Sequence, residues 1–240
     1  MLVEVCANSL ESALVAQDAG ADRIELCTEL AVGGLTPSYG LLVAVKRRIS
    51  IPVHVLIRPR SGDFTYTEEE REIMLRDIEK CVELGFNGIV CGALHKDLSL
   101  DVAYTQQLKD ASGELHFTFH RAFDWVKDPF ETLVQLKNVG VDTLLTSGQK
   151  PTAVEGIELL SVLKNGGSGI QVMPGSGINA DNVSMFKEKG FKAVHFSGTS
   201  MVGTLPEKPR VSMNCVRLLS DDGKAISQFD KISAVIAKVK

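Results

Sequence analysis

Gly20-Ala-Asp-Arg-Ile-Glu-Leu-Cys27 (GADRIELC, residues 20–27) combines a glycine, a polar residue two positions later, and a short strand-like run. Glycine is the usual residue just past the end of a helix, because it tolerates a left-handed backbone. The same order recurs at Gly85-Phe-Asn, Gly140-Val-Asp and Gly190-Phe-Lys. These four copies precede the second, fourth, sixth and eighth candidate strands, which predicts four βαβα units.

Strand-like runs alternate along the chain with amphipathic segments of helical periodicity, such as residues 67–84. This alternation predicts a parallel sheet with right-handed crossovers. The predicted fold is α/β, a single (β/α)8 TIM-barrel domain over residues 1–240, and an open doubly wound sheet is the alternative. A hairpin in residues 216–227 and a helix at 229–239 are predicted as a short C-terminal extension. The strand candidates are roughly residues 2–6, 22–27, 52–58, 87–92, 115–120, 142–147, 169–173 and 193–197.

Composition excludes several classes of function. The chain has 240 residues, of which 44 % are hydrophobic and 23 % charged, and a net charge of −4. An acidic chain without a basic cluster is a poor nucleic-acid or anionic-membrane binder. No secretory signal or membrane-spanning run is visible. The five cysteines show no CxxC spacing, so they are interpreted as reduced thiols in a cytoplasmic protein. A homodimer is expected only because it is the commonest assembly.

The polar residues of the strands share one face. Strand side chains alternate, and the layer beneath the helices must be apolar, so the polar set is expected to face the barrel axis. The interior of such barrels is usually filled by Val, Ile and Leu, which makes this set unusual. It could be a structural polar plug or a functional site at the C-terminal ends of the strands. Its members are Glu4, Cys6, Glu25, Cys27, His54, Arg58, His116, His120 and His195.

The loops at the same end are rich in anion-binding residue types. Two arginines at the end of a strand can clamp an anion, and Gly-rich turns after the seventh and eighth strands are where many barrels bind phosphate. The sequence therefore predicts an anion site, although these glycines could simply form tight turns. Its candidate residues are Arg58, Arg60, Ser147, Gly175, Gly177, Ser197 and Gly198.

Two cysteines offer a separate interpretation. Cys6 and Cys27 occupy matching places in Val-Glu-Val-Cys and Ile-Glu-Leu-Cys, at the ends of neighbouring strands. Two thiolates with Met173 or a nearby histidine would suit Cu(I). The alternative is that both thiols are small buried hydrophobic groups. Cys81 and Cys215 have no evident partner, and a structural role is expected for them.

Several motifs together resemble the CutC copper homeostasis family. They are EVCANS (4–9), GADRIELC (20–27), GGLTPSYG (33–40), IRPRSGDFTY (57–66), HRAFD (120–124), LTSG (145–148), VMPGSGI (172–178) and HFSG (195–198). The resemblance implies a (β/α) barrel, a cytoplasmic location and a role in copper binding or tolerance. It also implies Cu(I) ligation by the cysteines that match Cys6 and Cys27.

Three functions remain open at this stage. The first is Cu(I) binding through Cys6 and Cys27. The second is an enzyme that acts on a small phosphorylated or carboxylated metabolite by acid–base chemistry. No lysine stands on an inward strand position, which disfavours a Schiff base. The third is a non-catalytic barrel that acts through protein partners. The candidate catalytic residues for the second function are Glu4, Glu25, His120, Asp124 and His195.

Overall fold

The computed structural model describes residues 1–167, 169–211 and 223–240. Strands and helices alternate from the start of the chain. The first eight strands are β1 Leu2–Ala7, β2 Arg23–Leu26, β3 Val53–Leu56, β4 Gly88–Cys91, β5 His116–Phe119, β6 Thr143–Thr146, β7 Gln171–Pro174 and β8 Ala193–Phe196. The helices are α1 Leu10–Asp18, α2 Tyr39–Arg48, α3 Glu68–Glu83, α4 Val102–Ser112, α5 Pro129–Val139, α6 Ile157–Asn165, α7 Val183–Glu188 and α8 Phe229–Val239.

The eight strands form one parallel sheet in the order β7-β6-β5-β4-β3-β2-β1-β8. β7 and β8 meet through a single parallel bridge between Gly175 and His195. The sheet is thus wrapped into a barrel with helices outside, and the predicted (β/α)8 TIM barrel is confirmed.

The recurring glycine, followed two positions later by a polar residue, has a structural reason. Gly20, Gly85, Gly140 and Gly190 all have left-handed backbones, with φ between +70° and +89°. In the first three copies the polar residue that follows turns back to the neighbouring strand. The carboxylate of Asp22 accepts a hydrogen bond from the N–H of Val3, as the Asn87 amide and the Asp142 carboxylate do from Val53 and Phe117. The fourth copy differs, since the backbone carbonyl of Lys192 accepts from Leu2.

Side chains alternate between the two faces of the barrel wall as expected. Val3, Val5, Ile24 and Val55 belong to the large apolar cluster beneath the helices. The intervening positions carry the polar set, which is buried inside the barrel except for the half-buried His116. The chemistry of the chain is thereby confined to the axis and to its C-terminal mouth.

The C-terminal extension differs from the predicted hairpin. β9 (Thr199–Gly203), which directly follows β8, pairs antiparallel with β10 (Gly223–Ser227). The second arm of the prediction is therefore a strand, but its partner is residues 199–203, because the end of the barrel wall places that segment beside it. Residues 216–222 of the predicted hairpin, and Cys215, lie outside the described residues.

Helix α8 follows β10 at the predicted place. Its buried residues Ile232 and Val235 lie on the face that packs against the barrel helices α1 and α7. In the described part of the chain, no helix has both the length and the apolar character needed to cross a membrane.

Candidate functional site

A cavity of about 530 Å³ opens at the C-terminal mouth of the barrel. Cys6, Glu25, Arg58, His120 and His195 all line it. They come from five different strand ends, so the fold brings together residues that are far apart in sequence. A cavity of this size suits a small organic ligand, because ligand pockets are about 300–1,000 Å³.

Glu4 is the centre of a buried charge cluster at the floor of this cavity. Its side chain is fully buried, and its two oxygens accept from Arg23 Nε at 2.6 Å and from His195 Nδ1 at 2.7 Å. Burial alone would raise the pKa of Glu4, but Arg23 and His195 outweigh it and hold that pKa well below its ordinary range. Glu4 is therefore a fixed carboxylate.

His195 lies between two carboxyl groups. Glu4 holds its Nδ1, and its Nε2 lies 3.7 Å from Oε2 of Glu25. Burial opposes the charge, but Glu25, Cys6 and Glu4 together raise the pKa of His195 well above its ordinary value. The pKa of Glu25 is raised in turn, chiefly by burial. A histidine oriented at one nitrogen and free to exchange a proton at the other is a common device of acid–base catalysis.

The predicted thiol pair exists. Cys6 Sγ and Cys27 Sγ are 3.4 Å apart, although Cys6 stands opposite Glu25 in the strand register. Both pack in a small apolar cluster with Leu56, and the hydrogen bond to Cys27, followed by burial, raises the pKa of Cys6 well above its ordinary value.

The surroundings of the thiols correct one predicted ligand and add another. Met173, proposed from the sequence as a third soft ligand, instead contacts Arg23 at 3.8 Å deeper in the barrel. Cys6, Glu25 and His195 each contribute one potential ligand atom, and these three atoms lie within 4.8 Å of one another. The three residues form a group that could hold a metal ion.

His120 lines the cavity but differs from His195 in charge. Its Nδ1 accepts from the N–H of Ala122 at 3.3 Å, and its Nε2 is buried without a hydrogen-bond partner. Burial, helped by the nearby arginines 58 and 121, lowers the pKa of His120 to about 3. The proton-moving role considered for His120 does not suit such a group, because it stays neutral near pH 7.

The two predicted anion-clamping arginines are both engaged within the protein. The guanidinium of Arg58 donates to the carbonyls of Val32, Gly34 and Gly62, and its buried Nε has no hydrogen-bond partner among the described residues. Arg60 does not belong to the predicted anion site. It pairs with Glu70 at 2.5 Å and also with Asp63, and it does not line the cavity.

Asp124 and Ser147 also hold the protein together. The carboxylate of Asp124 accepts from Thr146, from Arg121, and from both the N–H and the hydroxyl of Ser147. Neither Asp124 nor Ser147 lines the cavity. The structure therefore gives them the role of ordering the turn after β6, because their polar atoms are used there.

The glycine-rich turns divide into two groups. Gly175 is part of the barrel wall, where its N–H donates to Thr146, and it does not line the cavity. Gly177, Ser197 and Gly198 do line it. Their backbone N–H groups donate to no acceptor in the described residues, so they are open to a ligand.

Sequence reasoning missed several residues of the mouth. The pairing of Arg23 with Glu4 was not predicted, although the parallel register sets the two side by side. Phe64 lies in the recognised 57–66 motif, and its ring contacts His120. Lys231 reaches the cavity from the start of α8, and this was not predicted because the recognised motifs end at residue 198.

Comparisons with known proteins agree on one family. The sequence pattern of the CutC family matches residues 1–200. The family protein CutC of Salmonella paratyphi A is 42 % identical over 241 residues, which cover 100 % of this chain and 96 % of that protein. The solved structure of CutC from Streptococcus agalactiae, named there for copper homeostasis, is 34 % identical, with a TM-score of 0.76 over 82 % of this chain and 98 % of that one.

More distant structures share the fold alone. Thiamine phosphate pyrophosphorylase from Pyrococcus furiosus is 14 % identical, with a TM-score of 0.59 over 99 % of this chain and 95 % of that one. Such a likeness adds nothing about chemistry, because one barrel hosts many reactions. The family match, the full-length relatives and the superposed barrel lead to one conclusion: this chain belongs to the CutC family.

Proposed function

We propose that this barrel is an enzyme that moves protons on a small anionic metabolite. The observation that carries the proposal is the position of His195, which Glu4 orients at Nδ1 while Nε2 lies beside Glu25 at the floor of an open cavity. A structural plug would need no cavity of about 530 Å³ above it. Active sites of such barrels lie at this end of the strands.

The roles follow from the contacts. Glu4 accepts the Nδ1–H of His195 and so fixes the ring and directs Nε2 toward the cavity. His195 would donate a proton to the substrate, and Glu25 would accept one or return it. Arg23 neutralises Glu4, which keeps that carboxylate from taking the proton itself.

The turns after β7 and β8 support an anionic substrate. The backbone N–H groups of Gly177, Ser197 and Gly198 are unpaired within the described residues, and the three residues line the same cavity. Backbone N–H groups at such turns bind phosphate or carboxylate well. Lys231 also lines this side, although its ammonium donates to the Thr199 carbonyl.

The test is exchange of carbon-bound hydrogen with solvent. Small phosphorylated and carboxylated metabolites are incubated with the protein in deuterium oxide and followed by NMR. At least one should exchange, and Glu25→Gln or His195→Asn should reduce the rate by about 100-fold or more, in the range of general acid–base catalysis. Glu70→Gln, which changes a carboxylate outside the cavity, is the control. Exchange that persists in both site variants would refute the proposal.

Cu(I) binding is the second candidate, and the thiol pair favours it. The Sγ atoms of Cys6 and Cys27 are 3.4 Å apart, and Cys6 also belongs to the possible ligand group with Glu25 and His195. A histidine whose other nitrogen is held by a carboxylate, as Glu4 does here, is typical of metal ligands. Because the pKa of Cys6 is raised, binding would release protons and strengthen as pH rises.

An anaerobic Cu(I) titration against a competing chelator tests this candidate. The Cys6→Ser/Cys27→Ser variant should lose tight binding, whereas Cys81→Ser, a buried thiol on α3, should retain it. Equal affinity in all three proteins would remove copper from consideration. The cytoplasmic location and the homodimer remain predictions from the sequence.

A further inference from the structure

Two buried donors at the cavity lack a partner. Nε2 of His120 and Nε of Arg58 make no hydrogen bond to any described residue, although both atoms are buried and both residues line the cavity. More than about nine in ten buried polar groups in proteins are paired, because an unpaired one opposes folding. Two such donors on one wall indicate that a ligand completes them.

The structure sets the proton of His120 at the unpaired nitrogen. Because Nδ1 accepts from the N–H of Ala122, a neutral ring must carry its hydrogen on Nε2. The ring has little freedom to turn. It packs against Phe64 with ring centroids 4.8 Å apart. A Cβ at Gly92 would lie 2.8 Å from Nδ1, so only glycine at that position leaves room for the ring.

Arg58 is held as firmly. Its three bonds to loop carbonyls engage both terminal nitrogens. Its guanidinium carbon lies 4.8 Å from the centroid of the same Phe64 ring that His120 contacts. Phe64 thus keeps the two donors on one wall, at the ends of β3 and β5, away from the turns after β7 and β8.

We propose that Nε2–H of His120 and Nε–H of Arg58 bind an acceptor oxygen of the substrate, a carbonyl or carboxylate, at the end remote from its anionic group. The inference rests on the proposed function and narrows its substrate class to small compounds with an anion at one end and an sp² oxygen at the other. A neutral imidazole N–H polarises a carbonyl by donating a hydrogen bond, without giving up its proton. His120 is then a donor that contacts substrate, while proton transfer stays with His195 and Glu25.

The test compares two series of probes by calorimetry. Phosphonocarboxylates of three to five carbons carry the second oxygen, and alkylphosphonates of equal length do not. For at least one chain length, the wild-type protein should bind the phosphonocarboxylate about tenfold or more tightly than the alkylphosphonate. That ratio is the usual value of a hydrogen bond to a charged group. His120→Leu should remove most of that preference without weakening the binding of the alkylphosphonate. His120→Gln, which retains an N–H, should keep part of the preference.

Two controls make the result decisive. His116→Gln changes a histidine that does not line the cavity and should leave the preference intact. In the wild-type protein, ¹⁵N NMR should show the His120 proton on Nε2. The chemical shift of that nitrogen should change when the phosphonocarboxylate is added but not when the alkylphosphonate is added. Absence of any preference, or a preference that survives in His120→Leu, would overturn the inference. Glu25-dependent hydrogen exchange would still stand in that case, so the two proposals fail separately.

Discussion

Replacing Glu4 by Gln should test whether the barrel interior depends on its charges. Glu4 is fully buried and pairs with Arg23 at 2.6 Å and with His195 at 2.7 Å. The amide keeps the volume and one acceptor, but it leaves the buried guanidinium without its counter-ion. Breaking a buried ion pair by removing one partner costs about 3–5 kcal/mol.

The lower end of that range is expected here. His195 can lose its proton and then accept from the new amide, which recovers one hydrogen bond, whereas Arg23 recovers no charge. We expect the free energy of unfolding to fall by about 3 kcal/mol. For a chain of this size that corresponds to a melting temperature lower by roughly 6–12 °C.

The assay is urea denaturation of wild type and variants, followed by fluorescence and circular dichroism. Glu79→Gln breaks an exposed pair with Arg76 on α3 and should cost no more than about 1 kcal/mol. The double variant Glu4→Leu/Arg23→Met removes both charges and should recover most of the loss, as apolar replacements of buried pairs often do. A Glu4→Gln variant whose free energy of unfolding falls no more than that of Glu79→Gln would refute this reasoning. A double variant as unstable as Glu4→Gln would refute it as well.

Three further predictions concern stability. Asp124→Asn should lower the free energy of unfolding by about 1–3 kcal/mol in urea denaturation, because the donors ordered by that carboxylate after β6 lose their acceptor; an unchanged midpoint would contradict this. Gly88→Ala should cost a similar amount by overpacking, since the added Cβ would lie 2.5 Å from the His54 ring, and thermal melting checks it. His120 has a folded pKa of about 3 against about 6.5 unfolded. The unfolded chain therefore binds more protons between these values, and stability falls as pH drops through that window. His120→Gln should remove up to about 1.4 kcal/mol per pH unit from this slope, and an identical slope in both proteins would argue against it.

Most of the fold follows from local patterns in the sequence. The glycine repeat marks where the even-numbered strands of the barrel start, because a left-handed glycine follows each of the helices α1, α3, α5 and α7. Asp22, Asn87 and Asp142 then bind the neighbouring strand. Period-two alternation then decides which side chains face the axis. These two rules were enough to place Glu4, Glu25 and His195 inside the barrel.

The choice of partners could not be derived in the same way. Arg58 and Arg60 stand two residues apart, yet one lines the cavity and the other turns to Glu70 on α3. That difference depends on how the loop after β3 folds over the barrel, which no local pattern encodes. The pairing of residues 199–203 with 223–227 was missed for the same reason, since it is a contact between distant segments.

The polar side chains inside the barrel form two levels that differ in charge. At the lower level the rings of His54 and His116 stack with centroids 4.9 Å apart, and burial lowers the pKa of both. Both rings are therefore neutral near pH 7. At the upper level Glu4, Glu25 and His195 carry the ionisable chemistry beside the cavity. Burying such groups opposes folding unless they are paired, and a barrel filled with Val and Leu would avoid that cost. The arrangement therefore supports the proposed chemistry at the mouth, with Arg23 stabilising the carboxylate that orients His195.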